Sequence, residues 1–230
     1  MYKYLAIIPA KLNSKRLPNK NFRYFAGKQL VDWTIEIALE SKKISDVIVS
    51  TDSLEFFENN SFPRLLNTGI RPEYLSKDST STLDVVNYEF KRAQELKQFT
   101  FDAVITLQPT SPLRTLEDLN NAIDLFESTS NADSLVSVVK VPHIFNPNKI
   151  LKTLEIVQNL NWRNNVVNSI HFTPNGAAIY ITKSSILPKS LLGKKCVVFE
   201  MSKGKSIDID DVLDFQVAEF IFLNNLHLKY

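Results

Sequence analysis

Between Lys11 and Asn21 the chain sets Lys11, Lys15, Arg16 and Lys20 among Asn13, Ser14, Asn19 and Asn21. Cations this close together, with amides and a hydroxyl between them, have the equipment to surround a polyphosphate, which needs several positive charges and donors to its remaining oxygens. A solvated charged loop has the same composition. Far along the chain, Ser206–Phe215 reads SIDIDDVLDF. In extended backbone alternate side chains share a face, so Asp208 and Asp210 project together while Ile207 and Ile209 turn to the core. Two carboxylates about 7 Å apart repel each other. A divalent cation relieves that, and Mg²⁺ prefers one or two carboxylates with phosphate oxygens completing its shell. The same residues also suit helix capping by Asp210 or Asp211.

Three further segments carry polar groups in constrained settings. In LQPTSPLR, residues 107–114, two prolines stiffen a turn around Thr110 and Ser111, and Gln108 and Arg114 offer an amide and a guanidinium to a ligand. In NGAAIYI, residues 175–181, Gly176 permits close backbone approach and Tyr180 is placed to line a pocket. Arg71, in GIRPEYLSKDSTST, is a lone arginine in a loop.

These groups need elements to position them. Tyr4–Ala10 is a short apolar run suited to a strand buried on both faces. Gln29–Ser41 has helical spacing through Leu30, Trp33 and Ile37. Strands are expected at Asp46–Ser50, Phe101–Leu107, Ser134–Val141, Ala177–Thr182 and Cys196–Met201. Helices are expected at Leu83–Leu96, from Thr115 to about Glu127, and at Asp211–Leu226. The alternation implies βαβ units and a parallel sheet. Ligands of such sheets bind beyond the carboxyl ends of the strands, and the polar stretches after Ala10, Ser50 and Leu107 all leave at that end. From Pro142 to Pro174 the periodicity lapses and asparagine is frequent, so 142–174 reads as an insertion or arm, suited to a subunit contact.

Composition narrows the classes. The chain has 230 residues, 44% hydrophobic and 23% charged, enough for one α/β domain over 1–230 and unlike a disordered chain. Its net charge of +2 creates no field suited to general nucleic-acid binding. A single cysteine, Cys196, rules out an internal disulfide framework, and His143, His171 and His227 are too scattered to suggest a metal site. No apolar run is long enough for a membrane span, and the N-terminal run reads as a strand, so a cytoplasmic protein is expected. With five glycines, the chain has neither a dinucleotide-binding GxGxxG nor a Walker loop.

Taken in order, IIPA, SKRLPNKN, GKQLVDWTIE, VIVSTD, LQPTSPLR, NGAAIYI and IDIDDVLDFQVAE resemble the acylneuraminate cytidylyltransferase family, covering nearly the whole chain outside 142–174. The resemblance implies a Rossmann-like three-layer αβα nucleotidyltransferase fold with a mostly parallel sheet, and a homodimer with 142–174 as its inserted arm. It implies that CTP and a nonulosonic (sialic-type) acid react to give the CMP-sugar and pyrophosphate, with Mg²⁺ as cofactor. By position, Lys11, Ser14, Lys20 and Asn21 would grip the phosphates with Lys15 and Arg16 nearby, and Arg71, Asp78 and Ser79 would recognise cytosine. Gln108, Asn175 and Tyr180 would contact the sugar, Arg163 would stand in for a carboxylate-binding arginine, and Asp208 and Asp210 would hold the metal. Lys20 joins that pair as a catalytic group. Leu12 stands where the family carries a glycine. Another acid acceptor, 3-deoxy-manno-octulosonate or a phosphonate, and a weakened relative that only binds CTP or sugar, are the alternatives.

Overall fold

A computed structural model describes residues 2–142 and 170–229. The expected arm therefore lies largely outside the described residues, and so does Arg163.

The first strand, β1 (Tyr4–Pro9), is central because it is apolar on both faces: Leu5, Ala6, Ile7 and Ile8 are each 0% exposed. It pairs in parallel with β4 (Ile44–Ser50) on one side and with β5 (Ala103–Thr106) on the other. Between β1 and β4 come a two-stranded hairpin, β2 (Tyr24–Phe25) with β3 (Lys28–Gln29), and helix α1 (Leu30–Glu40). Helices α2 (Leu54–Asn59) and α3 (Thr82–Lys97) lead to β5, and α4 (Leu116–Ser128) leads to β6 (Ser134–Lys140). The remaining elements are β7 (Phe172–Pro174), β8 (Tyr180–Lys183), β9 (Cys196–Glu200) and α5 (Val212–Leu223).

The sheet runs β4-β1-β5-β8-β6, with β7 and β9 also paired to β6. Strand β8 is antiparallel to both β5 and β6, whereas β9 is parallel to β6. Five strands thus share one direction and β7 and β8 oppose it. The sheet is mostly parallel, as expected, with β7 and β8 as its antiparallel strands. Together β7 and β8 act as one interrupted strand. They flank β6 at Val138–Lys140 and Ser134–Val136, and the NGAAI stretch leaves the ladder between them. Ser137 secures that detour: its amide donates to the Ile179 carbonyl at 2.9 Å, and its hydroxyl accepts from the Ile179 amide at 2.9 Å.

Three layers follow from the alternation of side chains. Tyr4, Ala6 and Ile8 face one way and pack with Val31 and Ile35 of α1 and with Leu119, Ile123 and Phe126 of α4. Leu5, Ile7, Ile48 and Val104 face the other way, onto Val86 and Ala93 of α3. A third cluster joins Leu17, Phe25, Leu30 and Leu113 to Ile209, Phe215 and Ala218, bringing the C-terminal helix against the hairpin and the loop after β1. Helices α3, α4 and α5 begin with capping boxes, Ser81/Asp84, Thr115/Asp118 and Asp211/Asp214, each helping to fix where a helix starts.

The alternation in SIDID does not make a strand. Residues 206–210 have no regular secondary structure and pair with no strand, held where the Ile209 amide donates to the Thr110 carbonyl at 2.9 Å. Ile209 is buried and Ile207 half-buried, so the predicted facing of the isoleucines holds without the strand.

Candidate active site

The loop leaving β1 is anchored at both ends, which leaves its cations free to project. The Ala10 amide donates to the Ser50 carbonyl at 2.8 Å and the Leu12 amide to Asp52 Oδ1 at 2.7 Å. Asn21 Nδ2 closes the loop by donating to the Lys11 carbonyl at 2.9 Å, and Leu17 plugs into the third apolar cluster. Leu12, where a glycine was expected, thus spends its amide inside the protein.

The cations then divide into two pairs. Lys11 and Lys15 reach Asp78 Oδ1 and Oδ2 at 2.6 and 2.9 Å. Arg16 and Lys20 reach Asp210 Oδ1 at 2.9 and 3.4 Å. Lys20 Nζ also donates to the Ile209 carbonyl at 2.5 Å. At 13% side-chain exposure Lys20 is the fixed member, whereas Lys15 is 80% and Arg16 70% exposed. Bonds from Lys11 and Lys15 hold the Asp78 carboxyl down to about 2.

The acidic side is built from three segments. Asp208 lies against Gly176, whose φ of +71° only glycine adopts without strain. A Cβ at Gly176 would sit 2.2 Å from Asp208 Cγ, so the missing side chain is the space that Asp208 fills. Burial pushes the Asp208 carboxyl above the ordinary carboxylate range; the Asp210 charge adds to this, while Thr110 and Lys20 oppose it. Oδ1 of Asp208 is buried without a hydrogen-bond partner. Asp210 is more open, with 41% of its side chain exposed.

These two sides face one cavity of about 740 Å³, at the carboxyl ends of β1, β4 and β5. Lys20 and Asp208 both line it, as do Lys11, Ser14, Lys15, Arg16, Asn21 and Asp210. Arg71 and Asp78 enter from the segment after α2, Gln108 from the turn after β5, and Tyr180 from β8. Burial raises the Tyr180 phenol above its ordinary range, with Cys196 and Asp208 adding to the effect. Thr110, from the proline-stiffened turn, also lines the cavity, as do Lys77, Thr80, Thr82 and Leu191, not singled out in the sequence. The polar run around Asp78 was the signal available for Lys77, Thr80 and Thr82.

Other expectations are corrected by burial. Arg114 does not present its guanidinium to the cavity. It is 2% exposed, donates through Nη2 to Thr34 Oγ1 at 2.9 Å and through Nη1 to the Ala178 carbonyl, and so ties the 107–114 turn to α1 and the NGAAI detour. Asn175 is 3% exposed and lies beneath the cavity. Its Oδ1 accepts from Ser137 Oγ at 2.7 Å and its Nδ2 donates to Ser206 Oγ at 3.1 Å, which leaves it a positioning role rather than a sugar contact. Ser79 is exposed outside the cavity lining. His171 and His227 do not line it either. Among the described residues, no cluster of three or more histidine, cysteine, aspartate or glutamate side chains could hold a metal, so Asp208 and Asp210 are a two-carboxylate set. No described helix is long and apolar enough to cross a membrane.

Comparison with known proteins places the sequence and the fold. The cytidylyltransferase family pattern matches residues 5–202. The chain is 32% identical over 229 residues to the N-acylneuraminate cytidylyltransferase of Escherichia coli O18:K1:H7, covering 94% of this chain and 51% of that protein. It is 31% identical to the CMP-N,N'-diacetyllegionaminic acid synthase of Legionella pneumophila, covering 94% of each. The chain thus spans about half the length of the first relative and nearly all of the second. A solved CMP:2-keto-3-deoxy-manno-octonic acid synthetase complexed with CTP superposes with a TM-score of 0.70 at 16% identity, over 97% of this chain and 99% of that one, which shows the shared fold.

Proposed function

We propose, for a chain that belongs to the cytidylyltransferase family, that it joins CTP to a nonulosonic acid, giving the CMP-sugar and pyrophosphate. The observation that carries this reading is the meeting of Lys20 with the Ile209 carbonyl and Asp210, beside Asp208, in one cavity. Nucleotidyl transfer leaves the protein chiefly positioning and charge neutralisation to perform. A fixed lysine, three mobile cations and a carboxylate pair are the parts that work requires.

In this reading the anomeric hydroxyl oxygen of the sugar bonds to the α-phosphorus of CTP. The bond from that phosphorus to the oxygen bridging to the β-phosphate breaks, pyrophosphate leaves with its electrons, and the hydroxyl proton passes to water or to a cavity carboxylate. Lys20 holds the phosphates from the loop side, and Lys11, Ser14, Lys15, Arg16 and Asn21 complete the grip once the side-chain carboxylates yield to phosphate. Arg71 meets the cytosine. Gln108 and Tyr180 face the sugar, with Asn175 fixing the backbone between them.

The residues suit a divalent cation. Asp208 presents a buried, unpartnered Oδ1, and Asp210 adds a second carboxylate. Two protein ligands with phosphate and water oxygens is the set Mg²⁺ favours. Bound there, Mg²⁺ supplies neutralisation of the phosphate charge and acidification of the attacking hydroxyl. The proposal includes a homodimer and a cytoplasmic setting, where CTP is available.

The deciding experiment measures pyrophosphate release with CTP, Mg²⁺ and sialic, legionaminic or pseudaminic acid. Turnover with one of these supports the reading. Release only with 3-deoxy-manno-octulosonate or a phosphonate moves the chain to another acceptor. CTP binding in a calorimeter without turnover on any acid makes it a binding protein. Light scattering of the pure protein tests the dimer.

A further inference from the structure

A carboxylate outside the cavity lining deserves a role. Glu89 lies on the inward face of α3 with Val85, Val86 and Ala93, and is 0% exposed. A carboxylate there is costly unless something on the other side answers its charge. Its Oε1 accepts from Ser50 Oγ at 2.7 Å, and its Oε2 has no hydrogen-bond partner. Ser50 is the last residue of β4, and the next two residues meet Arg71, which lines the cavity. The Arg71 amide donates to the Thr51 carbonyl at 2.8 Å, and Arg71 Nη2 stands 3.7 Å from Asp52 Oδ1.

Arg71 is itself 3% exposed, yet it lines the cavity. Its Nε donates to Ser76 Oγ at 3.2 Å, while its Nη2 has no hydrogen-bond partner. Burial works against its charge, and Asp52 and then Glu89 restore it. Burial raises the Glu89 carboxyl, and Thr68, Ser50 and then the charges of Arg92 and Arg71 counter it. The end of β4 is therefore gripped from α3 by Glu89 and from the cavity side by Arg71. Asp52 extends the grip to the Leu12 amide of the cationic loop.

We propose that Glu89 is a positioning residue for the nucleotide. Its carboxylate, anchored on Ser50, fixes the turn at 50–52, whose Thr51 carbonyl and Asp52 carboxylate in turn hold Arg71 at the cavity where the nucleobase binds. The proposal rests on the reading of Arg71 as the base-binding arginine, and the test separates the two.

Glu89→Gln keeps the side chain's size and its bond from Ser50 but removes the charge. Steady-state kinetics with CTP varied, and separately with the acid varied, are compared for the wild type, Glu89→Gln, Arg71→Ala and the double variant. Weakening the buried anchor of the turn that holds Arg71 predicts a CTP KM about tenfold higher in Glu89→Gln, with kcat and the acid KM changed less than about twofold. In the Arg71→Ala background the same change moves the CTP KM less than about twofold, because its target is gone. A merely structural glutamate would lower the melting temperature and the active fraction without this split. An unchanged CTP KM in Glu89→Gln, beside a raised one in Arg71→Ala, overturns the proposal; so does an equal effect in both backgrounds. If Arg71→Ala itself leaves the CTP KM unchanged, the base-binding reading falls and the proposal with it. Should Glu89→Gln not fold, Ser50→Ala removes the anchor instead, with an expected CTP KM rise of about threefold; no rise overturns the proposal.

Discussion

The two walls of the cavity handle charge in opposite ways. On the β1 side, Lys15 and Arg16 are 80% and 70% exposed and pair with carboxylates that also touch water. On the opposite side, Asp208 is wedged against Gly176, and Arg114 gives its bonds to the Thr34 hydroxyl and the Ala178 carbonyl, both neutral. Burial lowers Arg114 to about 10, which still leaves it charged at neutral pH. The first wall can exchange its partners for a ligand at little cost, since exposed ion pairs are worth little. The second cannot, because its groups have no water to fall back on. One wall adapts to the ligand while the other sets the frame.

If that contrast is right, substitutions on the rigid wall should cost far more than those on the mobile one. The largest effect is expected at Asp208. Asp208→Asn lowers kcat about a thousandfold, the upper range for removing one electrostatic contact to a transition state. The same variant also carries a stability signature. A buried carboxylate with a raised pKa destabilises the fold as pH rises through that pKa, so at pH 7 without divalent cation Asp208→Asn melts above the wild type. Added Mg²⁺ raises the wild-type melting temperature and leaves that of the variant unchanged. A variant with wild-type activity at saturating Mg²⁺ breaks the contrast at its strongest point.

Gly176→Ala comes next. Its Cβ would lie 2.2 Å from Asp208 Cγ, displacing the carboxylate, and kcat falls about a hundredfold while the CTP KM changes little. Arg114→Met follows. It leaves a buried carbonyl and hydroxyl without their donor and costs about 3 kcal/mol of stability, read by urea unfolding, with activity per folded molecule reduced less than for the two preceding variants.

The smallest effect is expected on the mobile wall. Asp78→Asn frees Lys11 and Lys15 for phosphate and lowers the CTP KM about threefold at low salt, and the gain fades at 1 M salt as screening replaces it. In the wild type, the Asp78 carboxyl is held to about 2 against an ordinary 3.8, so the pairing is complete above about pH 4 and is lost only as pH falls toward 2. An NMR titration of Asp78 reads this directly. A large, salt-independent change in Asp78→Asn would erase the difference between the walls.

The sequence was most legible where one physical signal was enough. The apolar run at β1 and the helical spacing of α1, α3 and α4 marked those elements, and Thr115 marked the start of α4. The β2–β3 hairpin and α2, two and six residues long, are too short to show a period. The alternation of SIDID reads as a strand although nothing pairs with it, because alternation reports the facing of side chains and not the presence of a neighbour. The cations and the two aspartates were legible as chemistry. Which polar groups lie inside was not: Arg114 and Asn175 look like ligand groups in a polar loop, and only packing shows them buried. Glu89 had a readable signal, since it falls on the face marked by Val85, Val86 and Ala93, where a charge is out of place.

The contact between Arg16 and Asp210 spans 194 positions of the chain. During synthesis the cationic loop therefore leaves the ribosome long before its acidic counterpart is made. A product terminated before residue 208 would keep the lysines and lose Asp208, Asp210 and the helix that fastens them. Such a fragment would lack the acidic side of the cavity.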